Sequence, residues 1–152
     1  MKKFLVFVIV LNFCFSSANS IEPEEFVQST VNRASEVLSK NISKEEKIKG
    51  LRIIAKETVD IIGVGFYSLG SARKDLNDSQ KKTYFDLFEN YFLKSFSSRL
   101  SEYTNPKIEV RGKKIINKNY TIVNSVLVST PDRPEVKIDW RIYTKNPNEP
   151  LI

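Results

Sequence analysis

Few side chains in this sequence can carry out catalysis at neutral pH. The 152 residues contain no histidine, and the single cysteine, Cys14, lies in an N-terminal apolar run. Ser-His-Asp and Cys-His catalysis is therefore excluded, and zinc, copper and haem sites of the usual kinds lose their ligands. With only one cysteine the chain can form no internal disulfide, so packing alone must stabilise its fold.

Carboxylates and tyrosines are the remaining candidates for acid-base chemistry. Asp60 and Asp139 have Tyr67 and Tyr143 nearby in the sequence, but no helical or strand spacing brings these groups together. Asp139 shares the wetter face of a predicted strand with Arg141, which indicates an ordinary charge pair. We therefore expect a protein that is not an enzyme and that binds no metal.

The first twenty residues have the layout of a secretory signal peptide. Lys2 and Lys3 form a basic start, and Phe4–Phe15 is an apolar run too short to span a bilayer. Small residues at positions 18–20 suit a signal peptidase. We predict a cleaved signal peptide over residues 1–20, export, and one domain over residues 21–152.

The charge of the predicted mature chain is mild. Without Lys2 and Lys3, 22 basic side chains stand against 18 acidic ones, so the net charge is +4. The basic residues are scattered among acidic ones rather than clustered. We expect no nucleic acid as a partner and no stable insertion into a membrane.

Two helices are predicted before residue 60. The first covers about residues 22–41 and has Pro23 in its first turn, where proline is well tolerated. The second begins at a capping box, in which Ser43 accepts from the backbone and Glu46 reaches back. Apolar residues recur at helical spacing along both.

The next two segments differ in character. Residues 60–70 are almost wholly apolar and fit a short buried helix that ends at Gly70, with a hairpin arm as the alternative. Asn77, followed by Gln80 three residues later, is typical of a helix start. The spacing predicts a long helix from there to about residue 103.

After Pro106 the apolar period changes to two. Residues 107–116, 120–130 and 135–144 are predicted strands, and the short turns between them favour an antiparallel meander. Helices followed by a sheet predict an α+β fold in which the helices cover one sheet face.

The long helix carries six aromatic rings within residues 83–96, and a helical wheel places them on one arc. Together they would remove on the order of 1,000 Å² from water, worth roughly 25 kcal/mol before entropy is subtracted. They either pack on the sheet as core, or they hold helix and sheet apart around an apolar cavity that accepts acyl chains. Periodicity does not separate these two interpretations.

Several short strings occur in a characteristic order along the chain. They are the apolar segment closing in Leu69-Gly70, Gln80 with Tyr84, Phe88 and Tyr91, Tyr103 before the first strand, and the strand Val136–Tyr143. In this order, and after a signal peptide, they resemble the MlaC family of periplasmic phospholipid-binding proteins of the toluene-tolerance type. The resemblance extends from about residue 24 to residue 143.

The resemblance implies a cystatin/NTF2-like roll that acts as a soluble periplasmic carrier. Such a carrier holds phospholipid tails in an apolar pocket and maintains the lipid asymmetry of the outer membrane. It exchanges lipid between an outer-membrane lipoprotein-porin complex and an inner-membrane ABC transporter complex. Phospholipid is then its cargo, and no cofactor is implied.

The residues implied to contact the lipid tails come from the apolar segment, the aromatic helix and two strands. They are Ile61, Ile62, Phe66 and Leu69, then Tyr84, Phe85, Phe88, Phe92 and Phe96, then Ile122, Val126, Ile138, Trp140 and Ile142.

The sequence departs from the family pattern at its end. The family continues after the Trp140 strand through a further strand and a terminal helix, whereas this sequence stops at Ile152. We expect a C-terminally incomplete member, with residues 151–152 beginning the missing strand. Two alternatives stay open: a hopanoid-associated relative in the same family, and an exported protein-interaction module whose sheet is fully packed and binds partners along an edge strand.

Overall fold

The computed structural model describes residues 20–152. The signal peptide predicted over residues 1–20 lies outside the described residues, apart from its last residue. The helices are α1 Pro23–Ser39, α2 Lys44–Thr58, α3 Ile61–Leu69, a short 3-10 helix Gly70–Lys74, and α4 Asp78–Leu100; the strands are β1 Ile108–Asn117, β2 Tyr120–Leu127 and β3 Val136–Tyr143. The predicted α+β order is confirmed.

The helix starts are set by local side chains. Ser43 and Glu46 form the predicted reciprocal capping box at α2, and Asn77 forms the equivalent box at α4. The Asp60 carboxylate accepts from the backbone N–H of Gly63 at 2.9 Å, which starts α3 soon after α2 ends. Segment 60–70 is therefore a helix and not a hairpin arm.

Gly70 ends α3 with a positive φ of 55°, in the region that favours glycine. The 3-10 helix then leads to α4. None of the helices within residues 20–152 combines the length and the apolar character needed to cross a bilayer.

The three strands form one antiparallel sheet in the order β1-β2-β3. Val123 of β2 lies opposite Trp140 of β3, and Ser125 lies opposite Ile138. Because directly paired residues share a sheet face, these four residues face the same layer. That layer is made by the helices.

The packed core lies between α1 and the sheet. Val27 and Val31 of α1 contact Val123 and Ile142, and all four are at most 4% exposed. Helix α1 thus packs directly on the sheet, α2 packs beside α1 and α4, and α3 packs on α4. Helix α4 packs mainly on α2 and α3 rather than on the sheet, and this position determines the site described below.

The C-terminal residues bind to the junction between α2 and α3. The N–H of Ile152 donates to the carbonyl of Thr58 at 2.8 Å, and the N–H of Asp60 donates to the carbonyl of Ile152 at 2.9 Å. Leu151 forms an antiparallel bridge with Tyr143 of β3. These bonds place the Ile152 side chain beside the space between helices and sheet.

Candidate functional site

An apolar cavity of about 330 Å³ lies between the helical layer and the sheet. Its lining comes from all four α-helices, the segment after α4, all three strands and the C-terminal residue. The lining residues are Thr30, Val31, Ala34, Ser35 and Leu38 of α1, Leu51, Ile54, Ala55 and Thr58 of α2, Val59, Val64, Phe92, Phe96, Leu100, Tyr103 and Pro106, Ile108, Leu127, Val136, Ile138 and Trp140 of the sheet, and Ile152.

Helix α4 and the sheet form facing walls of this cavity. Phe92 and Phe96 of α4 stack with their ring centroids 5.5 Å apart and their planes only 9° from parallel. Ile138 and Trp140 of β3 line the sheet side. The aromatic helix therefore stands apart from the sheet instead of interlocking with it, so the structure decides in favour of the cavity over the fully packed core.

No charged side chain belongs to the lining. Two of the lining hydroxyls donate to the backbone: Thr58 donates to the carbonyl of Ile54 at 2.7 Å, and Ser35 donates to the carbonyl of Pro106 at 2.9 Å. Within residues 20–152, every buried side-chain nitrogen or oxygen has a hydrogen-bond partner. The surface offered to a ligand is consequently hydrocarbon and aromatic, and it suits an alkyl chain.

Four of the residues predicted to contact lipid tails line this cavity, and they are Phe92, Phe96, Ile138 and Trp140. They come from α4 and β3, and the nearest two of them, Phe96 and Ile138, are 42 residues apart in the sequence. That they contact a lipid remains a prediction.

The predicted aromatic residues at the start of α4 pack on α3 instead of lining the cavity. The Tyr84 hydroxyl donates to the carbonyl of Gly65 at 3.3 Å, and the rings of Phe66 and Phe85 lie 4.5 Å apart. Phe88 stacks between Tyr84 and the cavity-lining Phe92, at 5.7 and 6.2 Å. These rings form a continuous column that fixes α3 to α4 and positions the lining rings beyond it.

Segment 60–70 contributes fewer residues to the cavity lining than predicted. Val64 is its lining residue within α3, whereas the predicted Ile61, Ile62 and Leu69 are not part of the lining. Ile62 is 59% exposed. A nine-residue helix that packs on α4 through one side has only its opposite edge left for the cavity.

The helical wheel placed all six aromatic rings of α4 on one arc. In the structure, not all of these rings are buried. Tyr91 is 70% exposed, and Leu87, its neighbour on the helix surface, is 66% exposed. Tyr91 lies at the edge of the aromatic arc and Leu87 lies just beyond it, on the exposed side of the helix.

The two β2 residues predicted to contact lipid lie on the outer face of the sheet. Ile122 lies opposite Arg141, and Val126 lies opposite Lys137, so both point away from the cavity side. Strand β2 has apolar residues on both faces, so alternation within it does not identify the inner one. Its pairing with Trp140 does, and Leu127 is the β2 residue that lines the cavity.

Ile142 is on the predicted face but in a different environment. It is fully buried and packs with Val27 and Val31 in the core under α1. The sheet face is thus divided along β3: its start borders the cavity and its end borders the packed core.

Sequence reasoning missed the contribution of α1 and α2. Ala34 and Leu38 line the cavity from α1, and Leu51 and Ala55 line it from α2. In the sequence they are apolar residues at helical spacing, which predicts that they lie on the inner side of each helix. Nothing in that spacing distinguished a cavity wall from a packed interface.

Neither candidate carboxylate belongs to the cavity. The Asp60 side chain caps α3, and Asp139 accepts from the Asn124 side-chain amide at 2.7 Å. The predicted charge pair between Asp139 and Arg141 is wrong, since the Arg141 guanidinium instead lies 4.5 Å from the ring centroid of Tyr120. The described part of the chain also holds no cluster of three acidic side chains that could bind a metal ion.

The fold and the cavity together define a class: small α+β proteins with an apolar cavity between helices and an antiparallel sheet. The chain matches the family described as MlaC protein over residues 28–152, and it therefore belongs to the MlaC family.

Among solved structures, the chain is similar to the phospholipid-binding protein from Ralstonia solanacearum, determined at 1.53 Å in complex with a phospholipid. The TM-score is 0.69 at 12% sequence identity, over 86% of this chain and 75% of that chain. At this identity the likeness shows the shared fold. No curated protein matches the chain in sequence.

Proposed function

We propose that this protein binds phospholipid, with acyl chain in the cavity between α4 and the sheet, and carries it through the periplasm. The observation that carries the proposal is the cavity itself, about 330 Å³ in volume and without a charged lining residue. Membership of the MlaC family supports it, as does the phospholipid held by the Ralstonia protein of the same fold.

The cavity volume indicates how much lipid it encloses. A cavity of about 150 Å³ accepts benzene, which has six carbons. The cavity here is about twice that size, so it encloses roughly a dozen carbons, or one acyl chain. At about 0.8 kcal/mol per buried CH₂, such a chain gains roughly 10 kcal/mol before the costs of binding are subtracted.

The carrier role follows from what the cavity lacks. An acyl chain crosses water only when it is shielded, and shielding requires an apolar wall but no acid, base or metal. The predicted signal peptide would bring the protein to the periplasm. Exchange with an inner-membrane ABC transporter complex and an outer-membrane lipoprotein-porin complex, in support of outer-membrane lipid asymmetry, is the part of the proposal that rests on the family alone.

The interaction-module alternative has less support. It requires a sheet that is fully packed by the helices, and the cavity separates β3 from α4. An empty apolar cavity costs stability, and a resident ligand offsets that cost.

The test is native mass spectrometry of protein purified gently from the periplasm, compared with a variant whose cavity is filled. Ala34→Phe places a ring in the cavity, because Ala34 lines it from α1. Ala72→Phe is the matched control, since Ala72 is exposed in the 3-10 helix. We expect adducts of phospholipid mass on the wild type and on Ala72→Phe, and at least a tenfold reduction on Ala34→Phe. A wild type without lipid adducts, or equal loading of the two variants, would contradict the proposal.

A further inference from the structure

We propose that Arg133 binds the phosphate of the lipid headgroup at the mouth of the cavity. The inference rests on the proposed function, and it adds a recognition site for the polar end of the ligand. It is carried by the position of Arg133 beside the cavity opening and by the way the structure holds its guanidinium.

The cavity lining is most exposed at the start of β3, and we place the opening there. Val136, the first residue of that strand, lines the cavity and is 45% exposed, whereas the other lining residues are buried or half-buried. Tyr103, which follows α4, also belongs to the lining. An acyl chain that enters the cavity at this point leaves its polar end near Val136 and Tyr103.

Arg133 is held at this opening by its side chain. Its guanidinium carbon lies over the Tyr103 ring, 4.5 Å from the ring centroid. Stacking of this kind occupies the flat face of the guanidinium and leaves its in-plane N–H groups free to donate. Within residues 20–152, no carboxylate forms a salt bridge with Arg133, and its side chain makes no hydrogen bond.

The backbone of Arg133 is also constrained. Its N–H donates to the carbonyl of Thr130 at 3.2 Å, and its carbonyl accepts from the N–H of Thr130 at 2.9 Å. The two residues between them are Pro131 and Asp132, and Pro134 follows. A two-residue turn with proline inside it and proline after it loses little entropy when a ligand binds, because each proline has a fixed φ.

The chemistry of the group matches phosphate. A guanidinium presents two parallel N–H donors that fit two phosphate oxygens, and its charge persists at any physiological pH. In a phospholipid the phosphate is joined through the glycerol to the acyl chain, so a phosphate bound by Arg133 would couple recognition of the head to that of the tail in the cavity. Inorganic phosphate has the same oxygens without the tail.

The experiment compares two lipids that share one twelve-carbon chain, lauroyl lysophosphatidylglycerol and monolauroylglycerol, which lacks the phosphate. Binding is followed by the fluorescence of Trp140, the single tryptophan, which lines the cavity. Arg133→Gln is compared with Arg141→Gln, which removes an equivalent stack on Tyr120, 4.5 Å away, among residues outside the cavity lining.

We expect Arg133→Gln to weaken binding of the phosphate-bearing lipid about fivefold to tenfold, as for one partly exposed charge-assisted contact, and to leave monolauroylglycerol unchanged. Arg141→Gln should change neither, and Arg133→Lys should fall between the wild type and Arg133→Gln. Equal weakening of both lipids, or no weakening of either, would overturn the inference.

Two further outcomes separate the sources of failure. Tight binding of inorganic phosphate by the wild type, lost in Arg133→Gln, would overturn the headgroup assignment and reveal a site for the free anion. A wild type that binds neither lipid would overturn the proposed function together with the inference. Unchanged far-UV circular dichroism and unfolding temperature show that each variant is folded.

Discussion

The indole N–H of Trp140 donates a hydrogen bond to Ser125 Oγ at 2.7 Å, from β3 to β2. The Ser125 hydroxyl is buried and itself donates to the carbonyl of Ile138 at 3.4 Å. This bond satisfies the one polar atom of the largest ring in the sheet wall. The remaining surface of the indole can then face the cavity as hydrocarbon.

Removal of the acceptor should therefore be costly. Ser125→Val leaves the indole N–H unpaired in an apolar wall, and we expect a loss of about 1–3 kcal/mol in the free energy of unfolding. Trp140→Phe removes the donor, so the double variant should lose less than the sum of the single losses, by about 1 kcal/mol. Urea unfolding followed by far-UV circular dichroism measures all three. Strictly additive losses would show that the hydrogen bond contributes nothing.

Trp140 also reports on the ligand. Because it is the only tryptophan and lines the cavity, a bound acyl chain should shift its emission to shorter wavelength, and a chain brominated near its middle should quench it. Ala34→Phe should abolish the quenching and Ala72→Phe should preserve it. Quenching of the same size in both variants would mean that the chain binds elsewhere.

The aromatic column of α4 divides into supporting and lining rings. Phe92→Ala should enlarge the cavity and shift preference from twelve-carbon toward sixteen-carbon chains, whereas Phe88→Ala should lower stability without changing that preference. Each ring is only half-buried, so we expect a loss of up to about 3 kcal/mol in either variant. Native mass spectrometry with an equal mixture of the two lipids measures the preference. The same shift in both variants would contradict the division.

Gly65 permits the close approach of α3 and α4. A Cβ atom there would lie 3.1 Å from Phe88 Cδ1 and 3.2 Å from Phe85 Cδ1, so Gly65→Leu must displace the rings or the helix. We expect a loss of about 1–3 kcal/mol in the free energy of unfolding. Gly112→Leu is the control, because nothing lies within 4 Å of a Cβ at that position. Equal losses of stability from the two substitutions would show that the rings of Phe85 and Phe88 move aside at little cost.

The cap of α2 gives a prediction about pH. The Ser43 hydroxyl, and then its backbone N–H, donate to the Glu46 carboxylate and hold the pKa of Glu46 below its ordinary value of 4.5. Ser43→Ala should raise this pKa part of the way to 4.5, because the backbone bond remains. NMR titration of the Glu46 carboxyl carbon measures it.

The sign of the stability effect follows from the lowered pKa. Since the folded pKa lies below the unfolded one, the stabilisation is fully present above pH 4.5 and is lost as pH falls through the folded pKa. The stability difference between the wild type and Ser43→Ala should therefore shrink in acid. A difference that grows below pH 4.5 would contradict the capping interpretation.

The features that the sequence predicted correctly depend on neighbours along the chain. The capping boxes at Ser43 and Asn77, the stop at Gly70 and the three antiparallel strands each follow from residues within one turn or one hairpin. The predictions that were wrong needed a partner from elsewhere. Strand β2 is apolar on both faces, and only its register with Trp140 shows that Ile122 and Val126 lie on the outer face.

The sequence by itself determined that histidine and cysteine chemistry is absent from the domain, where the elements begin, and that its helices and strands carry a large apolar surface. Only the tertiary structure decided which apolar side chains pack together and which enclose a cavity. Ile142 belongs to the packed core and Trp140 to the cavity wall, although they lie two residues apart on one face of β3. The physical reason is that a cavity forms where two layers fail to meet. The distance between layers depends on how α1, α3 and the rings of α4 pack together, which no periodicity within a single element records.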